Sequence, residues 1–167
     1  MCMDSIDRAI VAELERDGRQ TNVDLASRVG LTAGPCLRRV QRLEADGVIR
    51  GYRAVVDPAA LGAGFEVLVQ VTMDREDAAT VAAFERGVAE IPEVRDAERL
   101  FGDPDYLLRV ATADIEAFQR LRDEALATLP GVRRLTSTIV MKRVVQARPY
   151  SARSAGADRR GATRRGR

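Results

Sequence analysis

Histidine is absent from the 167 residues, and so is tryptophan. Without histidine there is no Ser-His-Asp triad, no Cys-His pair and no imidazole ligand for a metal. Aromatic residues make up 4% of the chain, too few for the stacking platforms of single-strand nucleic-acid binders. The two cysteines, Cys2 and Cys36, form no CxxC pair, which speaks against a cysteine zinc ribbon and a disulfide framework. No run of about 18 apolar residues occurs, so no membrane-spanning helix is expected. Asp4 and Asp7 stand where a secretory leader needs a basic and then an apolar stretch, so the expected location is the cytoplasm. Nothing calls for a metal or an organic cofactor, and no enzymatic role is expected.

What is present is globular in composition, with 46% hydrophobic and 31% charged residues. The length suits one domain or two small ones. The net charge of +2 conceals segregation. Residues 19–53 carry seven Arg against three acids, residues 58–146 are net acidic, and residues 147–167 carry seven Arg against Asp158. A basic patch and a basic tail flanking an acidic block suggest a polyanion partner. The tail from Arg148, rich in Arg, Gly, Ala and Ser, has too little apolar surface to offset ordering entropy and is expected to be disordered. It reads equally as a nonspecific clamp on nucleic-acid phosphates or as an inert extension.

Ile6, Ala9, Ile10 and Leu14 repeat at helical spacing and predict a helix from Asp4 to Glu15, ended by Asp17-Gly18. Thr21, with Asp24 three residues on, opens a second helix carrying Leu25, Ala26 and Val29. Gly30 suits the left-handed position after it. Thr32 is placed to cap a third helix with Pro35 at its third position, where a missing N–H costs nothing. Cys36, Val40 and Leu43 point inward, Arg38, Arg39 and Arg42 elsewhere. Gly47 ends the helix, and Val48 and Ile49 are expected to begin a strand. Two short helices joined by a Gly turn, the second bearing arginines, form a helix-turn-helix pattern. An ordinary three-helix bundle with a solvated arginine face has the same spacing. Arg39 has an alternative role in folding, through Glu44 or Asp46.

Beyond a strand-like Arg53–Pro58 and the hinge Leu61–Gly64, hydrophobic periodicity alternates between strand and helix. It predicts strands at Phe65–Met73, Val94–Phe101, Tyr106–Ala111 and Val132–Val145, with helices at Ala78–Glu90 and Ile115–Leu129. The order β-α-β-β-α-β predicts a ferredoxin-like antiparallel sheet with both helices on one face. The other face needs covering, and a second copy of the domain is the economical cover. The fold class is therefore α+β: a three-helix helix-turn-helix domain (1–50), a strand and hinge linker (51–64), a ferredoxin-like sensor and oligomerisation domain (65–146) and the tail (147–167).

Four stretches together resemble the Lrp/AsnC family of feast-famine transcription regulators. They are IDRAIVAELERDGRQTNVDLASRVGLT, PCLRRVQRLEADGVIRGYRAVVDPAALG, the turn GDPDYLLRV and the LPGV before the last strand. The resemblance implies an N-terminal domain that binds double-stranded DNA and a C-terminal domain that dimerises and senses a small molecule, typically an amino acid. It also implies assembly of homodimers, often into octamers, on the nucleoid. The family's recognition-helix pattern matches at Thr32, Pro35, Cys36, Leu37, Arg38, Arg39 and Arg42. The expected DNA-binding set is Thr32, Gly34, Pro35, Arg38, Arg39 and Arg42, with Arg50 and Arg53 nearer the DNA backbone. The effector set is Gly102, Asp103, Asp105 and Tyr106, with Ser137 on the last strand. The turn also has a purely structural reading, in which Gly102 supplies positive φ, Asp103 caps and Tyr106 is a half-buried strand residue. Pro104, and Leu135 and Ser137 in place of a common Thr pair, depart from the pattern and leave the effector open. Some relatives decarboxylate haem precursors, chemistry that the lack of histidine disfavours here. The rival from another class is a nucleoid-type architectural protein that needs no effector.

Overall fold

In the computed structural model, residues 3–145 and 149–150 are described. The expectation of a disordered tail falls almost wholly outside them. The chain divides into two units. One holds the described residues up to Ala54 with those from Val144 onward, the other Val55–Arg143.

Asp4 starts the first unit. Its carboxylate accepts the Asp7 N–H at 2.8 Å, and the Asp7 carboxylate accepts the Asp4 N–H at 3.3 Å. This reciprocal capping box opens α1 (Ser5–Arg16). Thr21 caps α2 (Asn22–Arg28) by accepting the Asp24 N–H. The Asp24 carboxylate takes the Thr21 hydroxyl instead of a backbone N–H, so only half of a box forms. After α2, Gly30 adopts φ +72°, and the Leu31 N–H bonds the Ala26 carbonyl at 2.8 Å while the Gly30 N–H reaches the Ser27 carbonyl. This closure requires a left-handed residue, which glycine adopts without a Cβ penalty. It turns the chain into α3 (Ala33–Ala45). Ile10, Leu25, Ala26, Cys36 and Leu43 are buried together, with Leu14, Val29, Val40 and Ile49 packed around them. Burial pushes the Cys36 thiol up from its ordinary pKa, leaving it a small core residue.

No strand follows α3. Val48 and Ile49 instead complete the helix end, their N–H groups bonding the Leu43 carbonyl at 2.9 and 3.0 Å. Residues 50–57 have no regular structure. An extended segment with no neighbouring strand has no ladder to join.

The second unit is a four-stranded antiparallel sheet ordered β2-β3-β1-β4. Its elements run β1 (Phe65–Met73), α4 (Ala78–Ala89), β2 (Val94–Arg99), β3 (Tyr106–Thr112), α5 (Ile115–Glu124) and β4 (Val132–Ile139). Alternate residues of the central strands are buried in register: Val67 with Val110, Val69 with Leu108, Val71 with Tyr106. Phe84 and Val88 of α4, Phe118 of α5 and Leu126 pack on that same face. Both helices therefore cover one side, as the order of elements predicts. Truncating Phe84, 1% exposed, would cost about 3–5 kcal/mol.

Several boundaries fall short of expectation, among them β2, which ends at Arg99 and not at Phe101. The second helix ends at Glu124 and passes into a 3-10 turn at Leu126–Thr128. The last strand stops at Ile139, opposite Val67, instead of running to Val145, because β1 begins only two residues earlier, at Phe65. One further ladder bond, Val140 N–H to the Glu66 carbonyl, is made at 3.0 Å. Gly131, in LPGV, has φ +74°, and a Cβ there would stand 2.4 Å from Thr80 Cγ2 and 2.8 Å from Met73 Cε. Any side chain would both strain the backbone and collide.

The open sheet face is partly polar. Half-buried Leu68, Leu107 and Ala111 share it with an ion cluster. Arg143 donates to Glu66 Oε2 at 2.6 and 2.9 Å, and Arg109 donates to Glu66 Oε1. Burial alone would raise the Glu66 pKa. The hydrogen bonds from Arg143 and Arg109 outweigh it and hold the carboxyl below its ordinary value.

Candidate functional site

The first candidate is the surface around α3. Thr32 sits at its N-cap with extended backbone, but its side chain makes no capping hydrogen bond. The start of α3 is tied down from α2 instead: the Asn22 side-chain amide donates to the Ala33 carbonyl at 2.8 Å. Gly34 and Pro35 follow in the first turn, where Pro35 forgoes an N–H that has no helical partner.

The three arginines of α3 have different surroundings. Arg39 Nη1 donates to Asp4 Oδ2 and to Asp7 Oδ1, both at 2.7 Å. Arg42 Nη2 donates to Asp7 Oδ2 at 2.5 Å. Asp7 is 2% exposed, and a buried carboxylate is tolerated only when paired. Two carboxylates at the start of α1 and two guanidiniums on α3 thus form a neutral quartet. The backbone N–H of Asp7, then the Arg39 guanidinium, hold the Asp4 carboxyl below its ordinary pKa. Glu44 and Asp46, the expected folding partners of Arg39, are not used in this way. Glu44 accepts the Tyr52 hydroxyl at 3.0 Å. Burial, with Glu44 beside it, pushes the Tyr52 pKa up to about 12. Arg38 is exposed and has no ion-pair partner among the described residues. Arg50 and Arg53 are exposed in the irregular segment after α3.

The quartet escaped the sequence reading because its partners lie 32 and 35 residues apart. The available signal was the Asp-x-x-Asp box ahead of an apolar run.

The second candidate is a cleft of about 970 Å³ around the β2–β3 turn. Gly102, Asp103, Asp105 and Tyr106 all line it. Ser137 does not: it pairs with Val69 on the edge strand β4, farther along from Arg134. Gly102 has φ +137°, and the Asp103–Pro104 peptide is cis. Asp105 is committed to the fold. Its N–H donates to the Val71 carbonyl at 3.0 Å, its carbonyl accepts the Leu100 N–H at 2.8 Å, and its Oδ2 accepts the Met73 N–H at 2.7 Å. The last bond falls where the β1–β4 register shifts between Thr72 and Met73. Tyr106 is 3% exposed and packs on Phe84, and its hydroxyl donates to Glu85 at 2.9 Å. Burial, then Glu85, pushes its pKa up to about 12. Asp103 is exposed and has no hydrogen bond or ion pair among the described residues. Arg99, Arg133 and Arg134 also face the cleft, as does Glu76. The sequence reading missed these four because they come from three separate segments. Cations and anions around one cleft can hold a zwitterion. Among the described residues no helix is long and apolar enough to cross a membrane, and no acidic or cysteine cluster could hold a metal ion.

Comparison with known proteins matches both units of the chain to known domains. Residues 3–50 match a family described as winged helix-turn-helix DNA-binding, and residues 66–150 match the Lrp/AsnC ligand binding domain. The chain is 41% identical over 145 residues to the leucine-responsive regulatory protein of Escherichia coli K12, covering 87% of this chain and 88% of that protein. The same figures hold for the leucine-responsive regulatory protein of Serratia marcescens. Among solved structures, a Neisseria meningitidis transcriptional regulator in complex with L-Met superimposes with a TM-score of 0.84. It has 32% identity and covers 89% of this chain and 96% of its own. An AsnC family regulator from Agrobacterium tumefaciens gives a TM-score of 0.81 at 35% identity, covering 86% and 94%. With a helix-turn-helix unit, a ferredoxin-like ligand-binding unit and these matches along nearly its whole folded length, the chain belongs to the Lrp/AsnC family and is a ligand-responsive transcription regulator.

Proposed function

We propose that the protein is a cytoplasmic, nucleoid-associated regulator that binds duplex DNA as a homodimer and takes an amino acid in the cleft at the β2–β3 turn. The observation that carries the effector assignment is the pairing, around one cleft, of the uncommitted Asp103 carboxylate with the Arg99, Arg133 and Arg134 guanidiniums. A carboxylate suits an α-amino group, and a guanidinium suits an α-carboxylate. The N–H groups of Leu100 and Asp105 are already bonded, while those of Phe101, Gly102 and Asp103 make no hydrogen bond among the described residues and can add to the carboxylate's donors. The dimer is supported by the uncovered sheet face, where Leu68, Leu107 and Ala111 remain half-exposed. Pairs of dimers would assemble further, up to an octamer. Allostery follows if the amino acid favours one assembly over another.

The test is a thermal-shift screen of the twenty amino acids, followed by DNA affinity and light-scattering mass with each hit. A ligand at about 100 times its Kd raises the stability of the folded state by about 2.7 kcal/mol. Stabilisation by at least one amino acid, with a change in DNA affinity or particle mass, is expected. No stabilisation by any of the twenty would overturn the amino-acid assignment.

A further inference from the structure

The helix-turn-helix unit binds DNA, and the surroundings of each α3 side chain decide which of them are free to read bases. The family pattern offers three arginines on α3, and the structure divides them. Arg39 and Arg42 are turned toward the start of α1 and bonded to Asp4 and Asp7. At 3.6 residues per turn, Cys36, Val40 and Leu43 cluster toward the core. The face roughly 140–200° away from Cys36 carries Gly34, Arg38 and Gln41. Leu37 borders it at roughly 100°. Arg38 and Gln41 are exposed, and Leu37 is 45% exposed although apolar. Arg38 leans back over the first turn: its Nη1 is 3.9 Å from the point where a Gly34 Cβ would stand. Its guanidinium is therefore carried toward the end of the helix that enters a major groove first.

We propose that Leu37, Arg38 and Gln41 are the residues that determine DNA sequence preference, with Arg39 a positioning residue that acts through Asp4 and Asp7 and reads no base. The chemistry of each side chain names its target. Arg38 presents a fork to the O6 and N7 of guanine. Gln41 presents a paired donor and acceptor to the N7 and N6 of adenine. Leu37 offers apolar contact to a thymine methyl. Arg38 and Gln41 are three residues apart, about 4.5 Å along the helix axis, a little more than one base-pair step of about 3.4 Å. They reach neighbouring base pairs. Gly34, without a side chain, lets the first turn come close to the groove edge.

Selection from a random duplex library with the full-length protein tests this with no operator sequence assumed. Wild type is expected to enrich a two-fold symmetric motif with a guanine beside an adenine in each half-site. Gln41→Ala should lose the adenine preference by about tenfold while the guanine remains, and Arg38→Ala should do the reverse. Gln41→Glu should move the preference at that one position from adenine to cytosine, whose N4 amino group donates to a carboxylate. A switched preference is something a merely structural role cannot produce. Gln41 is exposed, so these variants keep the fold, which a melting curve checks. Arg39→Lys should keep the motif, with reduced thermal stability. A Gln41→Glu motif identical to wild type would overturn the assignment, as would Arg39→Lys losing one base preference at unchanged stability. A wild-type protein that binds DNA but enriches no motif would overturn it too.

Discussion

Replacing Asp7 by Ala tests how the quartet holds α3. Asp7 accepts two charge-assisted hydrogen bonds, from Arg39 at 2.7 Å and from Arg42 at 2.5 Å, and completes the capping box of α1. Bonds of this type contribute about 1.5–3 kcal/mol each. That sum overstates the loss, because the Arg39 and Arg42 side chains are 27% and 52% exposed and recover water when released. Discounting by about half for solvent leaves roughly 1.5–3 kcal/mol. At about 1.4 kcal/mol per factor of ten, opening of the helices becomes about 10–140 times more frequent. Hydrogen–deuterium exchange on the full chain reads this segment by segment. Amides of α1 and α3 should exchange faster by that factor, while those of β1 and β3 in the other unit serve as an internal reference. Unchanged exchange in α1 and α3 would mean that desolvation of Asp7 cancels its pairing. The quartet would then have no part in fixing the recognition helix.

Three further outcomes follow from the cleft, the sheet face and the tail. Asp103→Ala should abolish the amino-acid response at unchanged melting temperature, whereas Asp105→Ala, which loses the bond to the Met73 N–H, should lower stability by about 1–3 kcal/mol. Melting and effector titration on both variants decide this, and a fully responsive Asp103→Ala protein refutes the ligand role. The Glu66 carboxyl has a lowered pKa in the fold, so its contribution is complete above the unfolded value near about 4.3 and is lost as pH falls through the folded value. Urea midpoints of wild type and Glu66→Gln should therefore differ at neutral pH and converge as pH falls below the lowered folded value. Removing residues 148–167 deletes seven Arg. If about half of them meet phosphates, the slope of log affinity against log salt should shrink by roughly three units, at about 0.9 per phosphate. An unchanged slope identifies an inert extension.

How legible the fold was depends on the range of each interaction. The sheet unit could be read because its information is local and repeated. Alternation in Phe65–Met73 and Tyr106–Thr112 marks the buried face, and the helices Ala78–Ala89 and Ile115–Glu124 carry their own apolar periods. The glycine turns at Gly30 and Gly131 could be read because a positive φ selects the residue type. Strand ends were not, because a strand ends where its partner does. Nothing within Val140–Val145 says that β1 begins at Phe65. The expected strand at Val48 fails for a related reason. β propensity describes fit to a neighbouring strand, and here the Val48 and Ile49 N–H groups meet the Leu43 carbonyl instead.

The candidate sites were legible as segments, and the structure adds which of their side chains the fold already binds. Arginines on a recognition helix look equivalent in sequence, since charge and spacing do not reveal which of them meets an acid from another helix. Asp4 and Asp7 first draw notice only as acids at the N-terminus, yet burial of Asp7 to 2% obliges it to find cations, and the α3 arginines within reach are Arg39 and Arg42. The same reversal occurs in the sensor turn. Asp105 and Tyr106 are the chemically conspicuous members of Gly-Asp-x-Asp-Tyr, and both are absorbed by the fold, one by the Met73 N–H and one by Glu85 and Phe84. What remains for a ligand is Asp103 and three arginines drawn from β2 and β4. In both places the residues with the strongest local signature anchor the structure. The side chains proposed to act are ones the fold leaves unbonded, among them Leu37, Arg38 and Gln41 on the helix and Asp103 in the turn. Single substitutions at these four should change specificity or response at constant stability. Substitutions at Asp7, Arg39, Asp105 and Tyr106 should change stability first, so melting temperature and function measured on the same eight variants separate the two groups. If Asp103→Ala and Gln41→Ala melted as low as Asp105→Ala and Asp7→Ala, that division of labour would be wrong.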